Sequence, residues 1–581
     1  MSKKLKSILF FSMVMTTLFA GCGQTKDDGA TEQKTEQSSE STQASTKEDK
    51  GTKEDKGDKE VTEDTGIFTP IGEYPIVKEG EQFEISLFAP LRSGVMSYDR
   101  DENEFTKWFE DKTGVSCKFQ AVPAADRQAK LNVLMTSGNY PDVILDSFFS
   151  ASEQLLYGQQ GVLLPLNDLI DKYAPNIKRI LEENPLVKDN ITMEDGNIYS
   201  IPSVGTATHM QAPYKLWINQ TWLTKLGLDM PTTTEEFKTV LQAFKEQDPN
   251  GNGKADEIPL SGTLKGWNAD PTLFLMNSFT YYDTSQSKSM TIEDGKVTYT
   301  RTKEAFREGL AYMHELFEEG LMDSLTYSQT ADQLKKVGNQ PGEATIGVCA
   351  GGSIGSFINL GDSDRWKEYV AVPPLKGPEG EQNAITIPHY GNIVLNITNA
   401  CENPEVVLRM FDLMFTEEGF MGNLGGIKGI DYVDAEEGAV NVLGEPARYM
   451  ELTTNGEREG RYWNQLGPWY RPEDYTLWYS ADPEGDIESL LYKETINKYV
   501  PHKKEESAIL PPLGFDADSA RVLVDIELPL NAYVDQALAD FIMGTKDIES
   551  EWDEYVQTVQ DLGIDTYLEL YQGAYDKRMA K

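Results

Sequence analysis

Five oxygen-bearing side chains crowd into one short stretch: Asp248, Asn250, Asn252, Asp256 and Glu257. They occupy positions 1, 3, 5, 9 and 10 of a loop in which Gly253, at position 6, permits a sharp turn and Lys254, at position 7, offers a backbone carbonyl. A hard cation the size of calcium takes roughly six to eight oxygens, and alternate residues of a tight loop deliver them. Ca2+ held by Asp248, Asn250, Asn252, Lys254, Asp256 and Glu257 is therefore expected, in a structural role that pins a helix end. A standard EF-hand has Glu at position 12, where this chain has Pro259. A Gly- and Asn-rich turn with solvated acids is the alternative reading of the same residues.

A second constellation pairs aromatic rings with amides. Sugar rings present apolar C–H faces that stack on aromatic rings, while their hydroxyls want planar polar partners. Trp267-Asn268, Tyr390-Gly391-Asn392 and Tyr462-Trp463-Asn464-Gln465 through Trp469-Tyr470 supply both. They fall in expected loops, where binding residues concentrate, although large aromatics also fill cores. The ligand-binding candidates are thus Trp267, Asn268, Tyr390, Asn392, Trp463, Trp469 and Tyr470, with Arg92 and Asp99 as further polar candidates. Trp108 and Trp222, on helix faces, are assigned to core.

Gly351-Gly352-Ser353-Ile354-Gly355 matches G-x-S-x-G after an expected strand, the setting of a hydrolase nucleophile elbow. Asp362 or Asp364 with His389 or His502 would be its partners. The same glycine-rich turn also lets backbone N–H groups approach ligand oxygens in a binding protein. The four histidines, His209, His314, His389 and His502, are far apart, and H-E-x-x-H, C-x-x-C and P-loop motifs are missing. No catalytic residue is assigned and a non-enzyme is expected, with a secreted glycoside- or ester-active hydrolase as the alternative. His314 reads as a helix-surface residue.

The elements that must position these residues follow from apolar spacing. Gln82 to Ala89 alternates and reads as a strand, Asp101 to Thr113 as a helix stopped by Gly114, Val115 to Val122 as a strand. Ala125 to Ser137 is a helix and Pro141 to Asp146 a short buried strand. Strand–helix–strand–helix–strand at these intervals implies a parallel sheet with right-handed crossovers. Further strands are expected at 197–202, 214–219, 344–350, 369–374 and 390–397. Helices are expected at 163–173 and 220–227, from a capping box at Thr233-Thr234-Glu235-Glu236, at 303–319, at 403–419, and from about Ser519 onward.

Several of these phrases together resemble a known family. Phe88-Ala89-Pro90, "GNYPDVIL" (138–145), "GNIYSIP" (196–202), "WINQTWLTKLGL" (217–228), "DPNGNGKADEIP" (248–259) and "NPEVVLRMFDLMFTEEG" (403–419) look like the bacterial extracellular solute-binding proteins of the family-one, sugar-binding type. The long calcium-containing branch, that of the alginate-oligosaccharide-binding proteins, is the most similar, and Glu257 at position 10 matches its variant loop. The resemblance implies an α/β, two-lobed periplasmic-binding-protein-like fold, each lobe a mostly parallel sheet flanked by helices. It places an N-lobe at 67–205 plus 375–425, a C-lobe at 206–374 plus 426–581, and hinge crossings near Val204–Tyr214 and Val370–Leu375. It implies a monomeric substrate-binding lipoprotein of an ABC importer, which closes on an oligosaccharide between its lobes and delivers it to a membrane permease.

The first 66 residues supply the tether. Lys3, Lys4 and Lys6 precede the apolar run Ile8 to Leu18, and Leu18-Phe19-Ala20-Gly21-Cys22 closes it. The run is too short for a permanent span and reads as a signal peptide, residues 1–21. Small residues before a cysteine resemble the bacterial lipobox, so Cys22 is expected to be lipidated and to become the mature N-terminus. Residues 23–66 hold scarcely any large apolar side chain and repeat Thr46-Lys47-Glu48-Asp49-Lys50-Gly51 as Thr52 to Gly57. Such a chain cannot offset its ordering entropy by burial, and it is expected to be a disordered spacer reaching ~35–40 Å. The whole chain carries 53 Lys and Arg against 95 Asp and Glu, a net charge of −42. This excludes nucleic acid as a partner and leaves acyl chains as the membrane hold. The mature chain is large for one domain. Cys117, Cys349 and Cys401 lack metal-type spacing and read as buried thiols.

Overall fold

β1 (Glu84–Pro90) shows at once how deep the first sheet lies, because Leu87 and Ala89 enter one hydrophobic core while Phe88, on the opposite face, enters another. The computed structural model describes residues 66–580, apart from 206–210, 285–287, 361–363, 387–390, 454–456 and 483–484. The signal peptide, Cys22 and the spacer up to Thr65 lie outside the described residues.

The other strands are β2 (Ser116–Val122), β3 (Val143–Leu145), β4 (Ile201–Gly205), β5 (Leu216–Asn219), β6 (Ile258–Ser261), β7 (Met290–Glu293), β8 (Lys296–Tyr299), β9 (Ile346–Ala350), β10 (Tyr369–Ala371), β11 (Asn392–Ile397), β12 (Tyr432–Asp434), β13 (Tyr449–Glu451) and β14 (Trp469–Arg471). Six form one sheet in the order β14-β4-β11-β3-β1-β2, and four form a second in the order β10-β5-β9-β6. Each sheet contains one reversed strand. β11 is antiparallel to β3 and β4, and β5 is antiparallel to β9 and β10. These are the strands on which the chain arrives from the other lobe. It arrives at the edge where the remaining strands end, so it must run the opposite way.

The helices follow their local signals. Asn103 accepts hydrogen bonds from the N–H groups of Phe105 and Thr106 to open the helix Glu104–Thr113, and Gly114, at φ 73°, closes it. The capping box at Thr233 and Glu236 opens Thr234–Glu246. The helix expected over 403–419 is broken: Pro404–Asp412 is regular, and the chain then proceeds through short irregular turns to Gly425.

Two large cores result, one on each sheet. Ile85, Leu87, Val143, Ile177, Leu395 and Phe411 belong to the first, and Trp217, Phe237, Leu260, Leu310, Val348 and Phe541 to the second. The fold is a two-lobed, mixed α/β arrangement. The expected assignment of 426–581 to the second lobe is corrected. Tyr462, Trp463 and Leu466 lie in the first core, β14 extends the first sheet beside β4, and the chain packs on the second core again from Ile487. The connection between lobes is thus made three times, at 205–216, 371–392 and 471–487. Cys349 and Cys401 are buried and Cys117 is half-buried; no disulfide joins them. Among the described residues no helix is long and apolar enough to cross a membrane.

Candidate functional site

Topology alone locates a cleft. β1, β2, β3, β4 and β14 run in one direction and end at one edge of the first sheet. The chain leaves that edge at Gly205 and at Arg471 and returns to it at Asn392, which pairs with Ser203. In the second sheet, β6, β9 and β10 end at the edge where β5 begins, and the crossings enter and leave there. The strand-end loops of the two lobes therefore face one another, the usual position for ligands in open α/β sheets.

On the first edge, the turn after β3 is the most constrained piece of backbone. Asp146 and Phe148 both have positive φ, 48° and 50°, which is costly for residues with side chains. Asp146 is 0 % exposed. It forms an ion pair with Arg92 at 2.7 Å, and its Oδ1 accepts from the Gly467 N–H at 3.1 Å. Burial pushes its carboxyl up to about 6, against the pull of the Arg92 guanidinium and the Gly467 N–H. Arg92 also donates to the Gln465 carbonyl at 3.1 Å, and Asn464 donates to the Ser93 carbonyl at 2.7 Å. Arg127 donates to the carbonyls of Asp146 and Ser147 at 3.1 and 3.0 Å. Its guanidinium lies 4.8 Å from the centre of the Phe148 ring, with that of Arg92 at 5.9 Å. Three segments, after β1, after β3 and before β14, are thus locked together by two arginines and one buried aspartate.

On the second edge, the indole of Trp267 covers Gly352, where any Cβ would meet its ring at 2.6 Å. The Gly352 N–H donates to the Trp267 carbonyl at 3.2 Å, and Trp217 Nε1 donates to the Gly351 carbonyl at 2.9 Å. Trp267 remains 51 % exposed. Behind this edge the crossings are knotted together. Glu494 accepts from the Ala371 N–H at 2.8 Å, Lys498 donates to the Ala371 carbonyl at 2.7 Å, and the Tyr499 hydroxyl donates to the Val372 carbonyl at 2.6 Å. Lys215, buried, donates to the Ala212 carbonyl, and its ammonium lies 5.0 Å from the Tyr499 ring centre. Burial pulls that ammonium down to about 7, with Glu494 as the opposing influence.

The candidates read from sequence separate clearly against this frame. Trp267 and Asn268 stand on the second edge, and Asn392 is exposed at the first. Tyr390 lies outside the described residues, as do Asp362, His209 and His389. Trp463 is not a ligand contact: it is fully buried, donates from Nε1 to Thr106 Oγ1 at 2.7 Å, and packs edge-on against Phe105 and Phe109. Trp469 is also buried, in a small core with Phe420, Tyr475 and Trp478, and its indole donates to the Gln465 carbonyl at 3.1 Å. Tyr470 packs half-buried on the first core. Asp99 is exposed and accepts from the Asp101 N–H at 2.9 Å, as a turn residue. Ser353 accepts from the Gly355 N–H at 3.2 Å and caps a short helical turn; among the described residues no histidine bonds to its hydroxyl. His314 is half-buried with Nδ1 3.1 Å from the Ile542 carbonyl, at the end of the helix Ala517–Ile542, not free on a helix surface. Phe148 was missed; the only signal in sequence was an aromatic just past the end of a short buried strand.

In the loop at 248–257, Asp248, Gly251 and Gly253 all adopt positive φ, curling the chain. The Asp248 carboxylate accepts from the N–H groups of Gly251, Asn252 and Gly253, and the side-chain amides of Asn250 and Asn252 donate to Asp256. Glu257 Oε1 is buried without a hydrogen-bond partner, and burial, reinforced by Asp248 and Asp256, holds this carboxyl above its ordinary value. An orphaned buried carboxylate oxygen is one that a hard cation would satisfy, although among the described residues no three Asp, Glu, His or Cys side chains converge as a metal site. Lys225, on the helix Gln220–Leu226, donates to the Pro249 carbonyl at 3.0 Å and ties the loop to the second lobe.

Residues 98–419 match the family described as bacterial extracellular solute-binding protein. The fructooligosaccharide ABC transporter substrate-binding protein FusA of Streptococcus pneumoniae serotype 4 (strain ATCC BAA-334 / TIGR4) is 29 % identical over 505 residues, covering 85 % of this chain and 90 % of the relative. Two solved structures of S. pneumoniae FusA, one in complex with kestose and one of an EF-hand mutant in complex with fructo-nystose, superpose with TM-score 0.72 at 25 % identity. Both cover 86 % of this chain and 99 % of the solved one.

Proposed function

We infer the function from one premise: this chain belongs to the bacterial extracellular solute-binding protein family. It is the substrate-binding component of an ABC importer, and it captures an extracellular oligosaccharide between its lobes. The observation that carries this reading is the pair of facing strand-end edges, joined by three crossings and furnished with an exposed aromatic on each side. Closure of such lobes stabilises binding only through contacts made better in the closed form, so the walls of the cleft must differ from bulk protein surface. The half-open rings of Trp267 and Phe148, unlike Trp463 and Trp469, have area left to give to a sugar. What a relative binds, fructooligosaccharide in the case of FusA, makes a neutral oligosaccharide the first ligand to try.

The remaining parts of the reading follow from it. Cys22 carries the lipid that anchors the protein to the outer face of the membrane, and the polar spacer lets a monomeric receptor meet its permease. Calcium sits in the loop through Asp248, Asn250, Asn252, the Lys254 carbonyl, Asp256 and Glu257, and acts on stability, not on sugar chemistry. The hydrolase alternative has no support in the surroundings of Ser353 and is not carried further.

Titration calorimetry of the purified protein with kestose, nystose and raffinose tests this reading. Saturable binding of at least one, with no reducing sugar released on prolonged incubation, is expected. Binding of none, or turnover of a bound sugar, would sink it. Metabolic labelling with palmitate, lost in Cys22→Ala, tests the anchor.

A further inference from the structure

We propose that Phe148 is a sugar-stacking platform on the first lobe, held ring-outward by Arg127 and Arg92 as the counterpart of Trp267 on the second. The proposal rests on the reading of the cleft as an oligosaccharide site and adds a ligand-contacting residue to it.

Four observations lead to Phe148. It stands three residues beyond the end of β3, on the edge of the first sheet that faces the other lobe. It is 43 % exposed, whereas its neighbour Phe149 is buried. Its backbone is held at φ 50°, a region where a bulky side chain is a genuine outlier and costs on the order of 1–3 kcal/mol. Its ring rests on guanidinium groups at 4.8 and 5.9 Å. Burial does not explain the placement, because the ring gains too little of it. The turn itself does not need the ring: the backbone is fixed by Arg127 on the Asp146 and Ser147 carbonyls, by the Phe148 N–H donating to the Ile393 carbonyl at 3.2 Å, and by Asp146 on Arg92 and Gly467. The fold therefore spends strain to present an apolar ring at the cleft edge, with guanidinium groups over the ring and 43 % of the residue still exposed.

An open aromatic face takes an apolar ring face. The matching ligand surface is the C–H side of a pyranose or furanose ring, stacked on the part of the Phe148 ring that the guanidinium groups leave exposed. Arg127 and Arg92 are positioning residues in this scheme. An oligosaccharide gripped between Phe148 and Trp267 places rings against both lobes and so favours closure.

Phe148→Gly separates this role from a structural one, because glycine adopts φ 50° without strain. Calorimetry with kestose, or with the tightest-binding sugar of the panel above, gives affinity, and thermal unfolding gives Tm. The proposal expects Phe148→Gly to bind roughly tenfold or more weakly with Tm equal to or above the parent's, and Phe148→Trp to restore binding. Unchanged affinity in Phe148→Gly overturns the platform while leaving the cleft reading intact. A fall in Tm together with affinity overturns it too, since the ring would then be structural. A parent that binds no oligosaccharide removes both.

Discussion

Glu257 concentrates the argument at the scale of single residues. Its buried Oε1 finds no hydrogen-bond partner, and Asp248 and Asp256 act on the same carboxyl. A bound cation would remove a desolvation cost that the protein otherwise carries. A ligand at a hundredfold excess over its Kd stabilises the folded state by about 2.7 kcal/mol. Millimolar calcium is therefore expected to raise Tm by several degrees, and Glu257→Gln or Asp248→Asn to abolish that shift while leaving the metal-free Tm nearly unchanged. A calcium-induced shift that survives in Glu257→Gln would sink the assignment. The loop was legible in sequence because its ligand candidates are neighbours. The aromatic candidates were less legible. Trp267 and Trp463 are each a Trp-Asn pair, yet one is half-open and the other has its indole hydrogen-bonded to Thr106, far away in the chain.

At the scale of elements, the last helix does something no local pattern announces. Lys577 and Arg578, near the end of Ile564–Met579, form ion pairs of 2.7 Å each with Glu194 and Asp189 on the first lobe. They close over a small cavity of about 80 Å³ lined by Leu155, Met193 and Phe515. The helix itself packs on the second core through Ile564, Tyr567 and Tyr571, so these pairs fasten one lobe to the other away from the three crossings. Partly exposed pairs contribute about 0.2–1 kcal/mol each, and salt screens them. The double charge reversal Lys577→Glu, Arg578→Glu is expected to speed ligand release two- to tenfold in low salt and to enlarge the radius of gyration in solution scattering. Both effects should shrink in molar salt. Release rates that match the parent's at every ionic strength would show that the contact plays no part in closure. The helices and strands with clear spacing or caps, such as Glu104–Thr113 and Thr234–Glu246, were read with small errors at their ends, whereas short ones such as Pro175–Glu183 and Ile258–Ser261 were not read. Nor was the break after Asp412, because the apolar spacing runs on unbroken to Gly419, and only packing of Phe420 and Met421 into the small aromatic core shows the chain turning there.

For the molecule as a whole, the three crossings meet where Lys215, Ala371, Val372, Glu494, Lys498 and Tyr499 are tied together. Lys215 is the strained member, since burial brings its ammonium from 10.5 down to about 7. The folded protein holds this proton less tightly than the unfolded chain does. Stability therefore rises as pH climbs from about 7 toward 10.5, and the full burden is present below 7. Lys215→Met, similar in volume and uncharged, is expected to raise Tm most at pH 6, with the advantage fading as pH approaches 10. Because the residue sits on a crossing, ligand affinity should shift with the substitution as well. A Tm difference that does not change with pH would refute the assignment of this proton.

The sequence by itself determined what neighbouring residues can settle: the alternating strands and helices of the first sheet's opening run, the longest helices, the curled loop at 248–257, and, through family phrases, the solute-binding fold; the short strands β6, β7, β8, β12, β13 and β14 were not read from it. Strand periodicity, caps and alternate-residue ligands act over two to five positions, so they are written in order along the chain. Only the tertiary structure decided that β14 joins the first sheet, that the third crossing follows β14 and not residue 425, that Trp463 and Trp469 are interior, and that Phe148 is held half-open. Each of these depends on partners far apart in the chain, such as Trp469 beside Ser203 or Gly467 against Asp146. Pairing and burial at that separation are set by which surfaces remain to be covered once both sheets have formed, and no local spacing encodes that.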